Sequence, residues 1–537
     1  MKKGESELTI ASVSYGIVAS PHPLAADAGL AVLEAGGSAI DAAVAAAFAH
    51  TVVTPSSCGI AGYAGTMIFY CAERNQVLAV DFNSRAPAAA RENMFAVEQD
   101  ADGRTRVPGQ ANSRGALSVD IPGTVSGLVL AQEKFGSLPL NAVLQPAIRA
   151  AREGFPVSSA LANTVTGLLA AKVDDFPEIY RLYSIDGRPP REGEILRCPE
   201  LADTLERIAE AGASAFYEGE IARRIVDTVQ SHGGIVTLDD LAAYRAKVVQ
   251  PIHTGYRDYE VFTPPLGAGG LTVLQALRVL EGFDVAGTQG GAKLLHLLTE
   301  TAKAVFRERL TKYGDPEITG SLTEYELGEE LIQKLRNEVA EGLKKPSKGR
   351  IIAPHPSGGT IHLVTADRHR NVVSLTLTHG EAFGSLLAVP GTGIVLPHGM
   401  SRFDPRPGWP NSVGPSKQPL HNMSPVLAMK NGHPALALGA AGGRTIVNSV
   451  YTVLTRVIDL GLSLPDALKE PRFHVETREP VWVEEGDEEL AAALTRLGHE
   501  VEIKPSIGIL QGIEFNLETG SAHGASDTRS PGKVAWR

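Results

Sequence analysis

Pro354-His355-Pro356-Ser357-Gly358-Gly359 runs directly into Thr360-Ile361-His362-Leu363-Val364-Thr365, and after Asp367–Asn371 the chain returns through Val372-Val373-Ser374-Leu375-Thr376-Leu377-Thr378. Two apolar runs rich in β-branched residues, joined by a short polar turn, read as a β-hairpin. The Ser/Gly/Pro stretch ahead of it, 345–359, reads as an exposed loop open to cleavage. A threonine that opens a buried strand after two glycines is placed to attack the carbonyl preceding it. That attack cuts the chain at Gly359–Thr360. It leaves a new N-terminus whose hydroxyl is a nucleophile and whose α-amine is a base.

Symmetric pairing about His369 sets His362 opposite Thr376 and Thr360 opposite Thr378, with facing Cβ atoms about 4.5–5.5 Å apart. In that register the Thr378 hydroxyl lies beside Thr360 and can orient its oxygen. A slip of one residue would turn Thr378 to the other face. Taken alone, the hairpin is more often just a strand with two threonines, a residue that strands favour.

The remainder of the chain narrows the class. Its 537 residues give a soft prior of about three or four domains, and 43% apolar and 21% charged residues are ordinary for a globular protein. A net charge of −11 lacks the basic footprint of a nucleic-acid binder. No apolar run approaches the ~18–20 residues of a membrane span. The start, Met1-Lys2-Lys3-Gly4-Glu5-Ser6-Glu7, has no apolar core of a signal peptide, which favours the cytoplasm. The three cysteines, Cys58, Cys71 and Cys198, have no motif spacing and read as buried small residues. Without Cys-x-x-Cys or His-x-x-x-His pairs, a structural or catalytic zinc is not expected.

Along the chain, Gly16–Ser20 reads as a strand and Leu24–Leu33 as a helix stopped by Gly36-Gly37. Ser38 with Asp41 forms an acidic capping box for a helix over Ala39–His50. Strands follow at Thr66–Tyr70 and Gln76–Asp81. The middle is mostly helical by period, for example Thr272–Leu280 and Lys293–Leu310. Strands Val426–Met429 and Ala435–Leu438 precede a Gly439–Gly443 loop and a helix over Ile446–Leu460. Hairpins flanked by helices imply stacked sheets covered by helices, an α+β layered fold.

Two further segments carry candidate chemistry. Gly439-Ala440-Ala441-Gly442-Gly443-Arg444-Thr445 follows a strand and opens a helix, so its amides are placed to hold an anion or a developing oxyanion; tight strand–helix packing explains it as well. Its spacing matches neither a P-loop nor Gly-x-Gly-x-x-Gly. Pro419-Leu420-His421-Asn422-Met423-Ser424-Pro425 crowds polar groups at a turn, where capping chemistry is the commoner explanation.

These segments together resemble the γ-glutamyltransferase family, self-cleaving N-terminal-nucleophile hydrolases with a four-layer αββα sandwich. The resemblance takes in Gly16–Ser20, Glu34–Ala43, Pro122–Gly127, Gly234–Tyr244, Gly255-Tyr256-Arg257, Thr360-Ile361-His362, Asn422–Pro425, Pro471–His474 and Gly524–Arg529. It implies Thr360 as nucleophile, Thr378 as supporting threonine, and Gly442 with Gly443 as the oxyanion hole. It also implies a large subunit over 1–359 and a small one over 360–537, both within one intertwined domain, 1–537. No cofactor is implied. The partner is a small-molecule amide, and a homo-oligomer is compatible with the sequence.

The donor site departs from the family. The arginine that grips the α-carboxylate follows Asp-Phe directly in the family; here Asn83 stands there and Arg85 comes two residues later. The asparagine, glutamine and aspartate that hold the α-ammonium correspond to Gly380, Gly399 and Arg402, and the serine pair before Met423 is His421-Asn422. The lid between Phe403 and Gly414 is short, so an open pocket is expected. Losing ammonium partners and gaining a cation favours an acyl group with a carboxylate and no α-amine, such as glutaryl, succinyl or an oxamate-like group, bound by Arg85 or Arg402. The alternatives are a true γ-glutamyl hydrolase or transferase acting on glutathione-like compounds, and a non-catalytic anion- or nucleotide-binding protein built on the Gly439–Arg444 loop.

Overall fold

The hairpin lies at the centre of a seven-stranded sheet that faces a second sheet of six strands. The computed structural model describes residues 16–100, 105–170, 175–265, 267–320, 322–349 and 359–537. Most of the expected cleavable loop, 350–358, and the Met1–Glu7 start lie outside the described residues. The strands of the two sheets are β1 (Gly16–Ser20), β2 (Ala64–Cys71), β3 (Gln76–Asp81), β4 (Lys247–Val249), β5 (Ile252–Tyr256), β6 (Tyr259–Thr263), β7 (Gly359–Asp367), β8 (Val372–Gly380), β9 (Val426–Lys430), β10 (His433–Ala441), β11 (Ile509–Phe515), β12 (Ala522–Ser526) and β13 (Lys533–Trp536). The first sheet is ordered β13-β1-β7-β8-β2-β3-β4 and the second β12-β11-β10-β9-β6-β5.

Side-chain alternation along β7 decides how the layers stack. Ile361 and Leu363 point to one face, where they join Met67, Phe69 and Leu375 beneath two helices, α1 (Ala39–Val53) and α2 (Thr124–Phe135). Val364 and Ala366 point to the other face, where they meet Leu427, Ala437 and Ile513 of the second sheet. The far face of that sheet carries Val426, Leu436 and Leu438 under α3 (Gly270–Leu280), α4 (Gly291–Lys312) and α5 (Thr445–Ile458). Three apolar layers thus separate helix, sheet, sheet and helix: the four-layer αββα sandwich. Chain on both sides of Gly359 shares the first sheet, since β7 and β8 are flanked by β1 and β2.

The Ser38 capping box forms as expected. Ser38 Oγ accepts from the Asp41 amide at 3.2 Å, and Asp41 Oδ2 accepts from the Ser38 amide at 2.9 Å. Asp41 also takes the Ser137 amide at 2.7 Å, so one carboxylate caps α1 and fixes a distant turn. Cys58 and Cys198 are buried and Cys71 is half-buried; all three are free thiols. Among the described residues, no helix is long and apolar enough to cross a membrane. One boundary differs from expectation: β10 continues through Gly439 to Ala441. Those residues pair with Gln511, Leu510 and Ile509 of β11, and a Cβ on Gly439 would lie 2.4 Å from the His362 ring. The glycine there makes room for a side chain from the facing sheet and does not end the strand.

Candidate active site

The expected register is observed: Thr360 pairs with Thr378 and His362 with Thr376, with a bulge between Gly359 and Thr360. Thr360 Oγ1 donates to Thr378 Oγ1 at 3.0 Å. The Thr378 oxygen also accepts from the Gly380 amide at 2.8 Å and donates through a short contact to the Gly359 carbonyl oxygen. One hydroxyl therefore touches the prospective nucleophile and the carbonyl of the Gly359–Thr360 bond. That geometry can polarise the bond and accept the nucleophile's proton.

The facing sheet aims the glycine loop at the same end of the hairpin. Ser374, paired with Val364, donates to the Leu438 carbonyl at 3.0 Å, while Gly439 lies against the ring of His362. One step forward along β10 is thus a step toward Thr360 along β7. Gly442 and Gly443 follow with φ of 133° and 64°, both in the region that favours glycine, and lead into α5. Arg444, next in line, is held by Glu476 at 2.6 Å.

Beside this end of the hairpin is a cavity of about 330 Å³, walled by Arg309, Arg402, Asn422, Arg444, Glu381 and Tyr313, and rimmed by Phe403, Asp404 and Pro405 of the short lid. Thr360 and Thr378 do not line it. Arg402 provides the connection: a Cβ on Gly380 would lie 2.7 Å from Arg402 Nη2, two residues from Thr378. The Arg402 side chain is buried, stacks over Tyr63 with 5.5 Å to the ring centre, and meets His398 Nε2 at 3.2 Å. Its Nε has no hydrogen-bond partner, and no carboxylate pairs with it among the described residues. Burial and the Arg402 charge hold His398 well below the ordinary histidine range, so its ring is neutral.

Other expected binding residues are placed differently. Arg85 forms a two-pronged ion pair with Glu317, 2.9 Å to each oxygen, and donates to the Ser416 carbonyl. It holds the surface together and does not line the cavity, because Nη2 is taken by both Glu317 oxygens and Nη1 by the Ser416 carbonyl. His421 is fully buried outside the cavity lining; burial lowers it to about 3 and keeps it neutral. Its carbonyl, 2.7 Å from Arg309 Nη2, does the structural work. Asn422 lines the cavity and accepts from Arg309 at 3.3 Å. Arg309 itself gave no signal in the sequence. It sits in the last turn of α4, and burial lowers it to about 10. Asp120 and His398 were likewise silent, each being one polar residue in an otherwise unremarked stretch. A buried group of Glu300, Glu479 and His499 has the donors for a cation, but the Lys303 ammonium already sits among them, 2.7 Å from Glu300.

Comparison with known proteins agrees with this geometry. The family model described as gamma-glutamyltranspeptidase matches residues 25–536. The glutathione hydrolase proenzyme of Escherichia coli (strain K12) is 33% identical over 96% of this chain and 90% of its own length. The acylase ACY 1 proenzyme of Pseudomonas sp. (strain SE83) is 35% identical over 97% and 93%. The crystal structure of cephalosporin acylase from Bacillus halodurans superposes with a TM-score of 0.90 at 31% identity, covering 100% of this chain and 98% of that one. Matches of this length to hydrolases and acylases of one fold leave no room for a non-catalytic binding protein: the chain is an amide hydrolase or acyltransferase and belongs to the γ-glutamyltranspeptidase family.

Proposed function

We propose that Thr360 is freed by self-cleavage and then hydrolyses amides whose acyl part ends in a carboxylate, held by Arg402. In the first step Thr360 Oγ1 bonds to the Gly359 carbonyl carbon and passes its proton toward Thr378. Thr378 and the Gly359 oxygen already share a hydrogen bond that strengthens as charge gathers on that oxygen. The C–N bond then breaks, the Thr360 nitrogen takes up a proton, and water releases the Gly359 carboxylate from the ester. In turnover the free α-amine, with a reference pKa near ~7.7–8, serves as base. Gly442 and Gly443 amides receive the oxyanion, and water or an amine takes the acyl group.

The observation that carries the substrate assignment is Arg402: buried, on the cavity wall, next to Gly380, and in no ion pair among the described residues. A guanidinium so placed is most stable with an anion brought by the ligand. The acylase relatives support amide hydrolysis that releases an acyl group. Steady-state rates on glutaryl- and γ-glutamyl-p-nitroanilide test it; the glutaryl compound should have the higher kcat/KM.

A γ-glutamyl substrate is the second reading, favoured by one feature. Glu381 lines the same cavity, and no ion pair engages its carboxylate among the described residues, so it is available to an α-ammonium. If this reading is right, γ-glutamyl-p-nitroanilide is preferred and Glu381→Gln removes the preference.

A further inference from the structure

Two glycines close in sequence to the cavity-lining residues Glu381, Ser401 and Arg402 leave space that other side chains fill. A Cβ on Gly399 would lie 1.6 Å from Asp120 Oδ2, and one on Gly380 would lie 2.2 Å from His398 and 2.7 Å from Arg402. Asp120 Oδ1 accepts the Gly399 amide at 2.9 Å. Its other oxygen has no hydrogen-bond partner, and the residue is fully buried behind the cavity wall that Arg402 forms. A buried carboxylate and a buried guanidinium thus lie in one cluster without a direct ion pair.

We propose that Asp120 determines specificity by acting through Arg402: seated in the space left by Gly399, its charge sets how strongly the guanidinium attracts an acyl carboxylate. This rests on the reading that Arg402 binds that carboxylate. Asp120 touches no substrate. When it is ionised it offsets the Arg402 charge; when it is protonated the cavity presents the full cation.

The surroundings make Asp120 the group that changes state near neutrality. Burial pushes it up to about 7, opposed first by the Ser84 hydroxyl, then by the Gly399 amide and its own, and last by the Arg402 charge. The other groups facing the cluster hold one state there. Arg309, lowered by burial only to about 10, keeps its charge, His398 is neutral, and burial raises Tyr63 and Tyr244 so that both stay protonated. Asp81, beyond Tyr244, is also raised by burial but is faced by Arg85 and Lys247. The sign follows: carboxylate binding is stronger below pH 7 and weakens as Asp120 ionises above it.

The test compares glutaryl-p-nitroanilide with butyryl-p-nitroanilide, which lacks the carboxylate, from pH 6 to pH 8 on the processed enzyme. Titration of the Thr360 amine affects both substrates and cancels in the ratio of their kcat/KM values. In the wild type this ratio should fall roughly threefold to tenfold across the range, as expected for charges coupled through partly dry protein. Asp120→Asn, which keeps an acceptor for the Gly399 amide, should hold the ratio flat at or above its pH 6 value, with the change in KM. Should this variant not fold, the wild-type profile decides alone. A flat wild-type ratio, with Arg402→Gln still raising KM for the glutaryl substrate, overturns the proposal and leaves the Arg402 reading intact. If Arg402→Gln leaves that KM unchanged, the reading beneath it falls, and the proposal with it. Loss of γ-glutamyl-p-nitroanilide turnover in Asp120→Asn, with the glutaryl profile unaltered, would also overturn it, placing Asp120 on an ammonium instead.

Discussion

Replacing Thr378 with valine removes one oxygen and keeps the branched shape that β8 packs. Three contacts end together: the 3.0 Å bond from Thr360, the 2.8 Å bond from the Gly380 amide, and the short bond to the Gly359 carbonyl. Gly380 is buried, so its amide loses its partner where water does not readily replace it. Leaving such a group unpaired costs about 1–3 kcal/mol, and that term lowers stability. The kinetic term is separate. The Gly359 oxygen gathers charge only as the tetrahedral intermediate forms, and loss of one donor to such an oxygen slows acyl transfer by about 10²–10³. Self-cleavage of Thr378→Val should therefore slow by about a hundredfold or more, whereas Thr378→Ser, which keeps the hydroxyl, should process at a rate within about tenfold of wild type. Timed denaturing gels with intact mass follow the single chain as it divides, and near-UV circular dichroism checks that the variant is folded. Folded Thr378→Val that divides at the wild-type rate would refute the argument, because the hydroxyl at the scissile carbonyl would then be a bystander.

Thr360→Ala should remain one full-length chain by intact mass, and a cut at any site other than Gly359–Thr360 in the wild type would remove Thr360 from the mechanism. Arg402→Gln should raise KM for glutaryl-p-nitroanilide by about tenfold or more, the ~1.5–3 kcal/mol of a charged hydrogen bond, with butyryl-p-nitroanilide nearly unaffected; equal losses on both substrates would point to a collapsed pocket. Asp41→Ala leaves the Ser38 and Ser137 amides without their shared acceptor and should cost about 2–4 kcal/mol by chemical denaturation; a change under ~0.5 kcal/mol would show that water replaces the carboxylate. Burial pushes the Cys58 and Cys198 thiols up to about 12, so both should resist a thiol reagent at pH 8 in the folded protein and react on unfolding, and prompt labelling of either would place it at an opening not seen in the structure.

What could be read from the sequence divides along a physical line. The hairpin register was legible because pairing the two runs symmetrically about His369 sets Thr360 opposite Thr378, the pairing that the fold adopts. The α1 cap was legible because a capping box is a local contact between residues three apart. Gly439 was misread as loop because the reason for it, the His362 ring, comes from a strand more than seventy residues away in the chain. Arg85 was over-read for a similar reason: its partner Glu317 lies 232 residues along, and only the fold shows that its charge is already matched. Arg309 was missed altogether, since an arginine within an amphipathic helix looks like a solvated one until burial is known.

The donor-site departures show the same limit most clearly. In sequence, Gly380, Gly399 and Arg402 look like three independent losses of ammonium-binding groups. In the fold they are one exchange. Arg402 and His398 need the space that a side chain at 380 would fill, and Asp120 needs the space of a side chain at 399. Restoring either side chain alone meets a charged group at 2.7 Å or closer, a separation that real Cβ atoms do not tolerate without displacing the neighbour. Returning this pocket to an ammonium-binding form therefore requires changing the glycines together with Arg402 and Asp120. Arg402, His398 and Asp120 with their two glycines are accordingly a single packed unit, and in the proposed reading a carboxylate brought by the ligand is what Arg402 meets there.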